Sequence, residues 1–143
     1  MRTILKFILV VGFASVSSLF FAQAAGATEY ACTFTPAKKP ARGVSLIPEF
    51  LLIEIDAQNP DKIKVTDAFS LHYNGAASDG AVLRNNGQKI RFAWSLRVKS
   101  TSGRMVQIQY NLRLNSTTGK ATLSATGEEI LQGLFGRGGC LIK

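Results

Sequence analysis

The middle of the chain alternates between apolar and polar residues in two neighbouring stretches. The even positions are apolar from residue 89 to 99 and again from 106 to 114, whereas the odd positions are almost all polar or charged. This period of two is typical of a strand with one face on a core and the other in water. Between the two stretches, Ser100-Thr101-Ser102-Gly103 suits a type I turn followed by a glycine bulge. The pattern therefore predicts a hairpin whose register pairs Trp94 with Tyr110.

A second predicted hairpin lies upstream. Residues 50–56 and 62–67 are apolar strand candidates that flank a turn containing proline and asparagine. The register that pairs their apolar residues also places Glu54 opposite Lys64, an opposite-charge pair of the kind that stabilises neighbouring strands.

Further strands are predicted on both sides of the central hairpin. Asn86-Gly87 is a strong signal for a two-residue hairpin turn, and that turn would pair Leu83 with Ile90 and Ala81 with Phe92. The inward positions become odd from residue 121 onward, so the turn around residues 117–119 needs an even loop or an extra bulge. Other candidate strands are residues 29–35, 69–73 and 121–125.

One short helix is predicted near the C-terminus. Thr126-Gly127-Glu128-Glu129 matches a capping box, apolar residues follow at helical spacing between 130 and 135, and Gly136 is placed as a terminator. The whole pattern predicts an all-β domain over residues 28–143: about seven or eight strands in a meander that forms a closed or flattened barrel. A two-sheet sandwich is the alternative.

The first 27 residues have the three parts of a secretory signal peptide. Arg2 and Lys6 are the basic region, residues 7–21 are apolar, and small residues at 22–27 permit cleavage after Ala24 or, as we prefer, after Ala27. The apolar run is shorter than the roughly 20 residues that span a bilayer, so a retained membrane anchor is the less favoured alternative. A periplasmic or secreted protein, not an integral membrane protein after cleavage, is expected.

The two cysteines lie near opposite ends of the predicted mature chain. In an exported protein, Cys32 and Cys140 predict one disulfide that joins the first strand to the C-terminal segment. A redox or nucleophilic thiol would need a CxxC-type pair or a histidine partner, and the sequence shows neither.

Composition and charge exclude several classes of protein. With 46% hydrophobic and 18% charged residues, the chain is that of a folded domain and not of a disordered one. Its 17 Lys+Arg and 9 Asp+Glu give a net charge of +8, and loss of Arg2 and Lys6 leaves 15 against 9, or +6. Export and the lack of aromatic residues on the predicted outer face argue against nucleic acid as a partner.

No motif for catalysis, metal binding or cofactor binding is present in the sequence. The lone His72 has no recognisable catalytic partner and cannot supply the usual metal-ligand set. The acidic residues mostly have lysine neighbours or lie at the predicted helix start, and the run from Asp56 to Asp61 lacks the glycine and distal glutamate of a calcium loop. No nucleotide-binding glycine motif occurs. The protein is expected to be no enzyme, with no catalytic residue, metal or cofactor.

Six basic residues share the outward face of the central hairpin. Like charges across a strand pair are destabilising, so a group of cations without acids invites a functional explanation. The simpler interpretation is a solvated face that keeps the protein soluble. The functional one is a site for an anionic polymer, lipid or protein of the cell envelope, formed by Lys89, Arg91, Arg97, Lys99, Arg104 and Arg113.

Three aromatic residues of the same hairpin are predicted to face inward. Phe92, Trp94 and Tyr110 would fill the core of a closed barrel, or would line a ligand cavity if the barrel is open at one end. A barrel that binds a small ligand is therefore the alternative function.

The two ends of the mature chain resemble a known family. Tyr30-Ala31-Cys32, Cys140 and the basic meander between them are similar to the small periplasmic inhibitors of C-type lysozyme. The resemblance implies an eight-stranded barrel closed by that disulfide. Those inhibitors carry a Ser-Gly-x-x-Tyr loop, whereas this chain has Ser102-Gly103-Arg104-Met105, with Tyr110 further on. No functional residue is carried over, and an inhibitor-like role is a further alternative.

The sequence thus predicts an exported, non-enzymatic binding protein of the cell envelope, which contacts anionic components through one basic sheet face.

Overall fold

The chain folds into a closed antiparallel β-barrel in which each strand pairs with its neighbours in sequence and the first strand pairs with the last. The computed structural model describes residues 26–37, 45–127 and 130–143, so the predicted signal peptide lies outside the described residues except for its last two. Closure confirms the barrel and excludes the sandwich. The strands are β1 Thr28–Pro36, β2 Phe50–Ile55, β3 Lys62–Asp67, β4 Ser78–Asn85, β5 Lys89–Lys99, β6 Met105–Asn115, β7 Lys120–Gly127 and β8 Ile130–Ile142.

The predicted registers of two hairpins are confirmed. In the β5–β6 pair, Trp94 stands opposite Tyr110, and Gly103 in the turn has a φ of 81°. The Ser100 N–H donates to the Arg104 carbonyl at 2.8 Å and so closes this turn. In the β2–β3 pair, Glu54 stands opposite Lys64 as predicted. Apolar alternation and turn chemistry agree at both places, and together they fix which residues face each other.

The β6–β7 connection is a four-residue loop. Leu114 stands opposite Ala121, which leaves residues 116–119 in the loop, and Gly119 has a φ of 69°. Of the two alternatives open from the sequence, the even loop is the correct one. The Ser116 N–H also donates to the Gln88 carbonyl at 2.9 Å, so this loop is tied to the β4–β5 turn beside it.

The predicted β4–β5 register is wrong. The turn centres on Gly87 and Gln88 because the Asn86 side chain accepts hydrogen bonds from the N–H groups of Gln88 and Lys89, at 3.2 and 2.7 Å. Gly87 supplies the positive φ that a two-residue turn needs at its first position. The pairing then shifts once more within β4, so that Val82 rather than Ala81 faces Phe92, and Asn85 rather than Leu83 faces Ile90.

The helix of the described fold forms where a strand was predicted. Helix α1, Ala68–Asn74, replaces the candidate strand 69–73. Asp67 caps it by accepting hydrogen bonds from the N–H groups of Phe69 and Ser70 at 2.7 and 2.8 Å, and the Ser70 hydroxyl accepts from the Asp67 N–H. Gly75, at a φ of 68°, ends the helix. Leu71 and Tyr73 are largely exposed, so their alternation carried no information about a sheet.

The predicted C-terminal helix is wrong, because that segment is the start of strand β8. Leu134 stands opposite Ala125 of β7, and Gly136 stands opposite Leu123 on one side and Pro36 on the other. A barrel can close only if a last strand pairs with both neighbours, and this requirement overrides the local helix signals. The segment from Gly136 to Gly139 also packs tightly, since a Cβ on Gly138 would clash with the Thr33 carbonyl oxygen.

The interior holds one hydrophobic core, and the predicted disulfide borders it. Cys32 and Cys140, which are 108 residues apart in sequence, stand directly opposite each other on β1 and β8 and are bonded. The bond therefore joins the strand that starts the barrel to the strand that closes it. The barrel has two ends: the turn end carries the loops at 56–61, 86–88 and 116–119, and the helix end carries α1.

Candidate functional site

Arginines form a row across neighbouring strands on the outer face. Arg84 stands opposite Arg91, and Arg91 stands opposite Arg113. The row continues through Thr122 to Arg137 of β8. The side chains of the four arginines and of Thr122 are exposed. Neighbouring strands lie about 4.8 Å apart. We call Arg84, Arg91, Arg113 and Arg137 the arginine row.

A bulge in β4 brings the row to its full length. Val82 faces Phe92 and Arg84 faces Arg91, so Leu83 is the extra residue of the bulge. Without it, the alternation of the strand would turn Arg84 toward the core opposite Ile90. A bulge sets two consecutive side chains on the same face against one partner. Leu83 and Arg84 therefore both lie outside, next to Arg91.

A cleft of about 630 Å³ lies beside Arg84, Arg91 and Arg113, toward the turn end of the barrel. Five basic side chains contribute to its lining, together with aliphatic side chains that include the inward-facing Ile90, Leu114 and Ala121. The cleft thus joins cations of the outer face to apolar groups of the barrel interior. Its lining has no acidic residue and consists of Leu83, Arg84, Lys89, Ile90, Arg91, Arg113, Leu114, Asn115, Lys120, Ala121 and Thr122.

The cations of the cleft have few partners within the protein. Arg91 donates from Nε and from one terminal nitrogen to the Asn111 side-chain oxygen, at 3.2 and 2.9 Å, which holds its guanidinium along the sheet. In the part of the chain that is described, the ion pairs lie elsewhere: Lys64 with Asp79 at 2.7 Å and Lys143 with Glu29 at 3.2 Å. The positive charge of the cleft is therefore left for solvent or a ligand.

The six basic residues predicted as one face divide into two groups. Lys89, Arg91 and Arg113 line the cleft. Arg97, Lys99 and Arg104 lie at the other end of the same hairpin, where Arg97 stands opposite Gln107 and Lys99 opposite Met105. Arg91 and Arg97 are six residues apart, or about 20 Å along the strand. The first group alone is joined to a cavity with apolar walls.

Three basic residues of the cleft and row, and the exposed Leu83, were not among those predicted. Leu83 and Arg84 depend on the bulge, which no turn or alternation signal in the sequence revealed. Lys120 follows the β6–β7 loop, and Arg137 lies in the segment predicted as a helix. The one available signal was negative: residues 80–127 contain no acidic residue at all.

The three aromatic residues predicted as core or cavity wall pack in the interior. The rings of Trp94 and Tyr110 are stacked with centroids 5.2 Å apart, and the ring centroids of Phe92 and Tyr30 are 5.7 Å apart. The Tyr110 hydroxyl donates to the Leu46 carbonyl at 3.0 Å. Two cavities of about 630 and 650 Å³ are lined by other side chains.

A small polar cluster lies at the helix end. Burial raises the pKa of the Asp67 carboxyl, and hydrogen bonds from the Ser70 and Phe69 N–H groups partly oppose this rise. Burial also raises the pKa of the Tyr110 hydroxyl, and the charge of Asp67 raises it further. These groups cap α1 and fix the loop at Leu46. His72 lies on α1, with its ring edge-on to Tyr73 at 4.8 Å.

The described residues contain neither a metal-binding cluster nor a membrane-spanning helix. Over residues 26–37, 45–127 and 130–143, no group of three or more His, Cys, Asp or Glu side chains could hold a metal ion. Within the same ranges, no helix has the length and apolar character needed to cross a membrane.

Comparison of the chain with protein-family models, with curated proteins and with solved structures finds no match.

Proposed function

We propose that this chain is an exported, non-enzymatic binding protein that contacts anionic components of the cell envelope through its basic β4–β8 face. The disulfide between Cys32 and Cys140 supports an oxidising compartment such as the periplasm or the extracellular space. The predicted signal peptide is consistent with export to that compartment.

The observation that carries the proposal is the register of the arginine row. Arg84, Arg91 and Arg113 are direct cross-strand partners. Like charges in such positions destabilise a sheet, so the arrangement reduces stability in the absence of a ligand. An anion placed against the three guanidinium groups removes that repulsion and gains charge-assisted hydrogen bonds. A solvated face that served only solubility would not need its cations next to one another.

The test is binding to vesicles of phosphatidylcholine with and without phosphatidylglycerol. We expect the protein to sediment with the anionic vesicles and to dissociate as salt rises from about 0.05 to 0.2 M. The reason is that added salt shortens the Debye length and so weakens the attraction between the exposed cations and the vesicle surface. In the double variant Arg91→Glu with Arg113→Glu, affinity should fall at least about thirtyfold, since each basic residue near an anionic surface contributes about 1 kcal/mol.

The matched control is Lys62→Glu with Lys64→Glu, which changes the net charge equally but on β3. Both lysines are exposed strand residues, but Lys64 pairs with Asp79, so the control also loses an exposed ion pair. Thermal unfolding of both doubles measures that cost and checks that they fold. The control should keep most of the affinity. Binding that is indifferent to salt, or that falls equally in both doubles, would contradict the proposal.

A further inference from the structure

We propose that the cleft beside the β4 bulge binds a single-chain phosphorylated amphiphile, one molecule at a time. Its phosphate would lie against Arg84, Arg91 and Arg113, and its acyl chain would follow Leu83 toward the apolar groups of the interior. This inference rests on the proposed function and makes it specific, since it names the ligand class and the place where the ligand binds.

The exposed Leu83 is the first reason for an acyl chain. Its side chain is 53% exposed and stands among cations, although a polar residue would suit that position better in water. The bulge is what places it there, because it sets Leu83 and Arg84 together on the outer face. An exposed apolar group beside the arginine row favours a ligand that has an apolar part next to its charge.

The aliphatic part of the lining is the second reason. Ile90, Leu114 and Ala121 belong to the core, yet all three also line the cleft. These three residues stand side by side across β5, β6 and β7 and form the apolar wall that a ligand chain would meet. The volume of about 630 Å³ lies within the range of about 300–1,000 Å³ that is typical of small-molecule sites.

The arginine row favours phosphate as the charged group. Planar guanidinium groups form paired hydrogen bonds with the oxygens of phosphate, and three of them stand side by side on adjacent strands here, within reach of one such group. Two N–H groups of the Arg91 guanidinium donate to Asn111, and its remaining N–H groups are left for a phosphate. Lys89 and Lys120 add charge at the turn end of the same cleft.

The experiment compares two soluble probes that share one headgroup. Calorimetry would measure the binding of glycerol 3-phosphate and of a medium-chain lysophosphatidate below its micelle concentration. Each methylene that leaves water contributes about 0.8 kcal/mol, so partial burial of the chain should make the lysophosphatidate bind at least about tenfold more tightly. Because both probes carry the phosphate, the difference reports the apolar wall alone.

Leu83→Asn is the decisive variant, since it changes no charge and replaces an exposed apolar side chain by a polar one. It should weaken the binding of the lysophosphatidate far more than that of glycerol 3-phosphate, so that most of the advantage of the acyl chain is lost. Leu83→Met should retain the advantage. Met105→Asn is the matched control, because Met105 is equally apolar, 64% exposed and at the other end of the hairpin.

Three outcomes would overturn the inference. Equal affinity for the two probes would make the cleft a site for simple anions, and binding to vesicles without binding to the monomeric lysophosphatidate would make the arginine row a membrane contact. An unchanged advantage in Leu83→Asn would exclude the bulge as the binding place. In all three cases the charge-reversal result with vesicles still stands or falls by itself, so the two proposals fail separately.

Discussion

The barrel has two regions that use charge in opposite ways. Residues 26–79, which form β1, β2, β3, α1 and the start of β4, contain seven Asp and Glu among the described positions, whereas residues 80–127 contain eight Lys and Arg and no acid. In the first region the carboxylates complete local structure: Asp67 caps α1, and Asp56 accepts hydrogen bonds from the N–H groups of Gln58 and Asn59. In the second, the arginines stand beside one another.

This difference separates charges that fold the chain from charges that are available to a ligand. A side chain bonded to the nearby backbone cannot also bind a partner without loss of stability. The cations of β4, β5 and β6 repel one another, so they are stabilised by anything negative that reaches them. The comparison therefore predicts that substitutions in the first region change stability, whereas those in the second change binding and make the barrel slightly more stable.

The largest expected effect concerns the bond that joins the two regions. The disulfide connects β1, in the acidic region, to β8, which continues the basic one. Replacing both cysteines by alanine should lower the free energy of unfolding by about 4–5 kcal/mol, because an uncrosslinked chain regains the entropy of a loop of about 100 residues. Urea unfolding of the protein and of the double variant measures the difference.

The matched control is the reduced wild-type protein, which has the same chain entropy as the double variant but keeps its thiols. Its stability should fall by a similar amount. A loss much below 2 kcal/mol in both would show that pairing of β1 with β8 closes the barrel without help from the crosslink.

The two regions also differ in how far the sequence predicts them. The β5–β6 hairpin follows from strict alternation and a turn glycine, and its register was predicted residue for residue. Helix α1 was missed although Asp67, Ser70 and Gly75 form its caps, because Phe69, Leu71 and Tyr73 alternate as in a strand. The helix predicted after the capping pattern at 126–129 is wrong for the converse reason, since closure of the barrel requires strand β8 from Ile130 onward.

The cleft was predictable only in part. Lys89, Arg91 and Arg113 follow from the alternation of one hairpin, and the notable lack of acids was visible in the sequence. Arg84 and Leu83 depend on a one-residue bulge, and a shift of one residue reverses the face of every later side chain. No local pattern encodes that shift, because it depends on the pairing of β4 with both β3 and β5.

The next effect in size tests the buried carboxylate of the first region. Asn also caps helices well, whereas Ala does not, so Asp67→Ala should be about 1 kcal/mol less stable than Asp67→Asn. Thermal unfolding at neutral pH measures this difference. Equal stability of the two variants would contradict the role of Asp67 as the cap of α1.

The pH dependence of the same residue has a definite sign. Burial raises the pKa of Asp67 above its ordinary value of 3.8, so the folded protein takes up this proton more readily than the unfolded chain. The contribution of Asp67 to stability therefore falls as pH rises from 3.8 through the raised pKa of the folded state. Asp67→Asn has no carboxyl to titrate at this position. The stability of the variant relative to wild type should therefore increase as pH rises over this range. A difference that stays constant with pH would contradict the direction of the shift.

The smallest effect is expected in the arginine row, and it has the opposite sign. Arg113→Thr should raise the free energy of unfolding by roughly 0.2–1 kcal/mol, because it removes the repulsion with Arg91 and places a β-branched residue in a strand. The gain should shrink at high salt, which screens the repulsion in wild type. Lys62→Thr is the control: Lys62 is also exposed, but it faces Ala81 and Asp56 and has no cationic partner, so only the part of the gain due to strand propensity should remain. If Arg113→Thr instead lowered stability, Arg113 would stabilise the folded protein without a ligand, and the distinction between the two regions would fail. If it raised stability while weakening vesicle binding, the same residue would favour binding at a cost to the fold.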